Sequence, residues 1–223
     1  MRSFLKGDYW FAEAAANRLT GSADLYSGQY QGYDSSINFL TCHDGFSLWD
    51  LYSYNEKHNE DNGWNNTDGS DDNRSWNCGA EGETSDPEIR KLRFQMIKNA
   101  CMSLMCSRGT PMFLSGDEFG DTRFGNNNPY CQDNEISWLN WNRLEENREL
   151  YSFFKKMIWF RREHPAIRSD QEPSDTGFPY QQTLGQHDWL GDKGTCNLLC
   201  GKDRTGRGSG LYGTECVLGR SEI

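Results

Sequence analysis

Ser36-Ile37-Asn38-Phe39-Leu40-Thr41-Cys42-His43-Asp44-Gly45 is a short apolar, β-prone run that ends on an imidazole, a carboxylate and a glycine. The pattern predicts a buried strand whose carboxyl end opens into a loop. In a parallel α/β barrel the strand ends and βα loops converge on one pocket, which places side chains at this position for chemistry. Asp44 is therefore the first catalytic candidate, with His43 beside it. A plainer reading stays open: Asp44 caps the next turn or a short helix over 47–53, and His43 is a half-buried imidazole with its hydrogen bonds met.

Downstream, residues 45–85 are crowded with Asn, Asp, Gly and Glu and interleaved with Trp49, Trp64 and Trp76. An irregular stretch of about forty residues within a compact domain is uncommon unless it is functional or disordered. The aromatics argue against plain disorder. Aligning Gly69 with the invariant glycine of a calcium loop puts Trp64 at the first ligand position and Ser75 at the twelfth, so the EF-hand pattern fails. Carbohydrate binding suits the segment better, since sugar rings offer C–H faces to aromatics and hydroxyls to Asn and Asp. A solvated surface loop pinned by tryptophans is the competing reading.

Ser85-Asp86-Pro87-Glu88 announces a helix, either as a capping box or with Asp86 as N-cap and Pro87 at the first helical position. Ile89, Leu92, Met96, Ile97, Ala100, Cys101, Leu104 and Met105 then recur at helical spacing, up to Gly109. A second short apolar strand follows over 111–115, ending in Gly116-Asp117-Glu118 and repeating the earlier design of strand, carboxylate and glycine. Another Asn-rich segment, 121–143, precedes an amphipathic helix built on Leu150, Tyr151, Phe153, Phe154, Met157, Ile158 and Phe160, which stops at His164-Pro165. Upstream, residues 2–19 read as helical, and 21–34 as a turn-rich connection with Tyr26, Tyr30 and Tyr33. The order of strands and helices is that of an α/β protein with βα units and a parallel sheet.

With 223 residues, 35% hydrophobic and 13% aromatic, the chain can build a core. A net charge of -10 argues against nucleic acid or an anionic membrane as partner. The eight cysteines are irregularly spaced and read as reduced; neither Cys196 with Cys200 nor Cys78 and Cys131 has the spacing of a zinc site, so no metal or cofactor is expected. No apolar run is long enough to span a membrane, and residues 1–7 lack a signal peptide's apolar core. The expectation is a cytoplasmic protein, in which the sequons at Asn65 and Asn73 go unused. From about residue 170 the apolar period vanishes, and residues 171–223 read as an irregular tail, compositionally close to disorder.

Four motifs carry a family resemblance: 37–45, the stretch Asp72-Asn73-Arg74-Ser75-Trp76-Asn77-Cys78-Gly79, Gly109-Thr110-Pro111 running to Gly116-Asp117-Glu118, and Gly125-Asn126-Asn127-Asn128 running to Trp138. Over residues 1–170 the chain resembles the isoamylase-type glycogen or starch debranching enzymes of glycoside hydrolase family 13, the α-amylase superfamily. The resemblance implies a (β/α)8 TIM barrel, of which this chain carries roughly the last third, from helix 6 to helix 8. It implies retaining hydrolysis of α-1,6-glucosidic branch points in glycogen or limit dextrin. Asp44 matches the carboxylate that stabilises the transition state, and His43 a histidine that binds the same sugar. Asp117 and Glu118 stand at the next strand end as substrate-binding candidates in a supporting role. A retaining glycosidase also needs a nucleophile and a proton donor about 5 to 5.5 Å apart. Both family counterparts fall upstream of Met1, which marks Met1 as a candidate internal methionine and predicts a chain inactive alone. Residues 171–223 stand where relatives continue into a β-sandwich and match nothing of it, as a shifted reading frame would explain. Binding of branched α-glucan without catalysis is the alternative, and the oligomeric state is not legible.

Overall fold

Residues 1–26 and 35–168 are described in the computed structural model; the tail over 171–223, with Cys196 and Cys200, and Tyr30 and Tyr33 lie outside them. In chain order the elements are α1 (Arg2–Leu5), α2 (Ala12–Leu19), α3 (Ala23–Tyr26), β1 (Ile37–Asn38), α4 (Leu48–Leu51), α5 (Pro87–Cys106), β2 (Thr110–Pro111), α6 (Asn142–Glu146) and α7 (Arg148–Glu163), with short 3-10 turns between them.

β1 and β2 run parallel, Ile37 opposite Thr110 and Asn38 opposite Pro111. Their ladder consists of the Thr110 N–H on the Ser36 carbonyl at 2.7 Å and the Met112 N–H on the Asn38 carbonyl at 2.8 Å. Gly109 leads into β2 with φ +90°, and a Cβ there would lie 2.3 Å from the Ser36 carbonyl oxygen, so only glycine permits this approach. Parallel strands need a long crossover, which here contains α5.

Both strands are shorter than the apolar runs that predict them, and β1 is not buried. Ile37 is 62% and Phe39 51% exposed, whereas Leu40 and Thr41 are buried. Among the described residues the sheet has two strands, so side chains on its open side meet no covering layer. The helix predicted over 2–19 divides into α1 and α2, with Gly7 and Trp10 at positive φ between them. The final helix is likewise two, α6 and α7, separated by buried Asn147, whose Nδ2 donates to the Phe119 carbonyl at 2.9 Å.

Of the two starts open to α5, the chain takes the one at Asp86, whose carboxylate accepts the Glu88 and Ile89 N–H groups. Met96, Ile97, Ala100, Cys101, Leu104 and Met105 face the core with Leu150 and Phe154 of α7. The first residues of the stretch read as loop join them: Phe46, Leu48, Trp49, Leu51 and Tyr52 are all buried. Polar Ser47, Asp50 and Ser53 break the apolar period there, and the segment folds inward around α4.

Two buried arginines bind backbone rather than carboxylates. Arg93, on the core face of α5, donates to the carbonyls of Gly82 at 2.7 Å, Asn77 at 3.1 Å and Ala80. Arg161, from α7, donates to Met105 and Ser107 at 2.7 Å each and to Gly109, closing the carboxyl end of α5 where carbonyls have no helical partner. Among the described residues no helix is long and apolar enough to cross a membrane.

Because Arg161 joins the end of α5 to the start of β2, Arg161→Met should destabilise the fold by about 2–4 kcal/mol through three uncapped carbonyls. Urea unfolding followed by circular dichroism measures this, and an unchanged midpoint would refute it.

Candidate functional site

The residues after β1 are fixed by their backbone while their side chains stay free. Arg2 Nε donates to the Leu40 carbonyl at 2.7 Å. Thr41 is buried and its hydroxyl donates to Asp117 Oδ2. Past it, Arg123 Nη1 donates to the His43 carbonyl at 3.1 Å, and the Gly45 N–H donates to the Asn127 carbonyl at 3.0 Å. His43 and Asp44 thus sit on a turn held from two sides. Their side chains are 86% and 81% exposed, with His43 Nε2 3.3 Å from Asp44 Oδ2. A contact so exposed contributes little to stability. Asp44 caps no helix: the N-cap of α4 is Ser47, whose hydroxyl accepts the Asp50 N–H.

Asp117 is fully buried. Its Oδ1 accepts the Leu48 N–H at 2.7 Å and its Oδ2 accepts the Leu114 N–H at 3.0 Å in addition to Thr41. With both oxygens engaged inside the protein it ties the end of β1, the start of α4 and the segment after β2 to one point. Glu118 is half-buried, and its Oε2 accepts the Gly116 N–H at 2.9 Å.

A second buried carboxylate, Asp50, carries no sequence signal beyond being an acid within the apolar run Leu48-Trp49-Asp50-Leu51. It accepts the Thr122 hydroxyl at 2.5 Å and the Arg123 N–H at 2.8 Å. It therefore anchors the backbone from which Arg123 reaches His43. Burial pushes both carboxyls up from the usual range to about 6, although their hydrogen bonds favour the charged form.

The two Asn-rich loops form one amide network. Asn59 and Asn127 exchange bonds, Nδ2 to Oδ1 at 2.8 Å and Oδ1 from the Asn127 N–H at 2.9 Å. Asn127 Nδ2 continues to Asn73 Oδ1 at 2.8 Å. Asn62 Oδ1 takes Asn126 Nδ2 and Gln132 Nε2, both at 2.8 Å, and Asp68 Oδ2 takes Asn62 and Asn128. Gly69 closes the network: a Cβ there would lie 2.2 Å from Asn127 Oδ1. Among the described residues no group of three His, Cys, Asp or Glu is placed to hold a metal ion.

Parallel strands bridged by a helix, with a histidine and a carboxylate displayed beyond one strand end, form a βαβ unit of the kind α/β proteins use. Comparison with known proteins narrows this to the isoamylase-type debranching enzymes of glycoside hydrolase family 13, to which the chain is related over part of its length. It is 52% identical over 166 residues, 72% of this chain and 23% of the relative, to a glycogen operon protein GlgX homolog of Mycobacterium tuberculosis. It is 48% identical over 172 residues, 77% of this chain and 22% of the relative, to isoamylase 3, chloroplastic, of rice (Oryza sativa subsp. japonica). The chain thus spans under a quarter of the length of these two relatives. Among solved structures, the pullulanase of Bacillus acidopullulyticus matches with a TM-score of 0.54 at 23% identity, over 76% of this chain and 17% of that one. A pullulanase of Paenibacillus barengoltzii, solved with maltohexaose and α-cyclodextrin, matches with the same TM-score and identity, over 76% of this chain and 22% of that one. These likenesses concern the fold, that of TIM-barrel glycosidases. No protein-family model matches the chain.

The buried carboxyls give the fold a distinct pH response. A folded-state pKa raised from 3.8 to about 6 corresponds to roughly 3 kcal/mol per carboxyl. This contribution is fully present below the unfolded pKa and is lost as pH rises through about 6. Between about pH 7.5 and 5 the thermal midpoint should therefore climb as pH falls, and climb less in Asp50→Asn. A midpoint that is flat or falls across that window would contradict the assignment.

Proposed function

We propose that the chain supplies the carboxyl-terminal part of the barrel of a debranching glycosidase acting on α-1,6 branch points of glycogen or limit dextrin. In this reading α1 and α2 follow the sixth barrel strand, β1 is the seventh, α5 its helix, β2 the eighth, and α6 with α7 close the barrel; residues 1–170 are the partial barrel. The observation that carries the proposal is the relatedness to debranching enzymes across 72% and 77% of the chain.

Asp44 would stabilise positive charge developing on the sugar ring at the cleavage point, while His43 donates to a hydroxyl of that sugar. Both roles need side chains open to substrate on a backbone that does not move. Exposure of both residues and the bonds from Arg123 and Asn127 supply these conditions. Asp117 acts as the strut beneath them and Glu118 as a residue of the strand-end rim. Cleavage with retention requires a nucleophile and a proton donor. The enclosure of Asp117 argues against either role for it, and in this reading the chain contributes transition-state stabilisation and substrate binding without hydrolysis of its own. Binding of α-glucan without catalysis is the second reading, favoured by the same enclosure.

Electrophoresis in native gels containing glycogen, combined with a reducing-end assay on glycogen and limit dextrin, tests this. The chain should be retarded by glycogen, with no reducing ends released. Asp44→Asn should weaken the retardation roughly three- to tenfold in apparent affinity, the range for losing one charged hydrogen bond. Reducing ends released by the chain and abolished in Asp44→Asn would overturn the non-hydrolytic reading, and absence of any retardation would overturn glucan recognition.

A further inference from the structure

The aromatic residues of the two Asn-rich loops differ in how they are held. Trp49 is buried, and Trp76 packs against the core. Trp141 is 65% exposed and lies over Phe119 with ring centroids 5.4 Å apart. Trp64, Tyr130 and Trp138 expose 58%, 73% and 59% of their surface on the two Asn-rich loops.

Gln132 gathers the three. Its Nε2 donates to the Asp61 carbonyl at 2.9 Å and to Asn62 Oδ1, clipping the loop that carries Trp64 two residues on. Its own N–H donates to the Pro129 carbonyl at 2.9 Å, closing the turn that carries Tyr130. Its carbonyl accepts the Ser137 hydroxyl at 2.8 Å, which holds the residue before Trp138. Trp138 is fixed further by its indole N–H, which donates to Asp133 Oδ1 at 3.0 Å. The ring is thus anchored by its edge while most of its surface stays open. A two-residue offset spans at most about 7 Å of chain, so Trp64 and Tyr130 stand close to the clip that joins their loops. The same ridge leads to the catalytic-end turn, because Asn127, three residues before Tyr130, accepts the Gly45 N–H.

We propose that Trp64, Tyr130 and Trp138 form an aromatic rim that binds an α-glucan chain alongside the His43–Asp44 turn. This deepens the proposed function and rests on it. An apolar protein partner would be served by a contiguous apolar patch; these rings are instead set among amides and carboxylates, in a chain of net charge -10. A neutral polyhydroxyl chain matches both halves of that surface, its C–H faces against the rings and its hydroxyls toward the polar groups. Rigid rings lose little freedom when such a ligand lands.

The test is affinity for glycogen and for maltoheptaose, by native gel retardation and titration calorimetry, in Trp64→Leu, Tyr130→Leu and Trp138→Leu. Trp159→Leu, at a 62% exposed tryptophan on α7, is the control. Each rim substitution should weaken binding roughly three- to tenfold, while the control and the phenylalanine variants Trp64→Phe and Trp138→Phe stay near the parent. Unchanged affinity in all three rim variants, with Asp44→Asn still weakened, would overturn the rim and leave the proposed function standing. No binding by the parent chain would overturn both. A change in sedimentation coefficient of the rim variants without a change in glucan affinity would assign the rings to protein contact and likewise overturn the rim.

Discussion

The Asp117 carboxylate collects the Thr41 hydroxyl, the Leu48 N–H and the Leu114 N–H into one buried point. Each belongs to a different part of the chain: the end of β1, the start of α4, the exit from β2. A two-strand sheet with two-residue strands has too few ladder bonds to set the direction of the chain beyond it. Here one charged group does so, and its desolvation cost is offset by three donors that would otherwise be buried without partners. The turn bearing His43 and Asp44 inherits its position from that point through Thr41, and from Asp50 through Arg123.

The same logic recurs with opposite charge at Arg93 and Arg161. Both guanidiniums are buried and both direct their N–H groups to backbone carbonyls. One gathers the loop over 77–82 onto the side of α5, and the other gathers the exit of α5 onto α7. A planar fork with five donors suits this work better than a lysine would, since several carbonyls converge on it at fixed angles. Substantial parts of the fold are thus held by side chains bonding to backbone rather than by extended sheet.

This explains which features were legible in the sequence. α5 was readable because its apolar residues recur at helical spacing and its start carries Asp86 and Pro87 in the positions that satisfy a helix amino end. The placement of His43 and Asp44 beyond the end of β1 was readable from the abrupt change at Cys42-His43. Burial of β1 was not, because an apolar run reports that a residue suits a covered face, not whether the cover is there; Ile37 and Phe39 face outward. The inward turn of 46–54 was hidden by Ser47, Asp50 and Ser53, whose polarity mimics a loop. Two of the three have internal partners: Ser47 donates to the Asp121 carbonyl at 2.9 Å, and Asp50 takes Thr122 and Arg123. Arg93 is buried without any local signal, since a charge marks an exposed face unless carbonyls wait for it, here those of Asn77, Ala80 and Gly82. Such partners lie 11 to 74 residues away, and no local period encodes them.

The Asn-rich loops connect this internal bonding to recognition. Each amide is both donor and acceptor, so Asn59, Asn62, Asn126 and Asn127 can join two loops without adding net charge and with their hydrogen bonds met internally. A network of this kind makes irregular backbone rigid, which a loop stabilised only by surface ion pairs would not be. Rigidity matters most where the ligand is flexible and uncharged, because a glucan chain offers no ionic attraction to offset the entropy of ordering both partners. On the reading proposed above, buried amide clips and outward aromatic rings present a rigid surface to a neutral polymer, and the turn of His43 and Asp44 lies at the end of the same network.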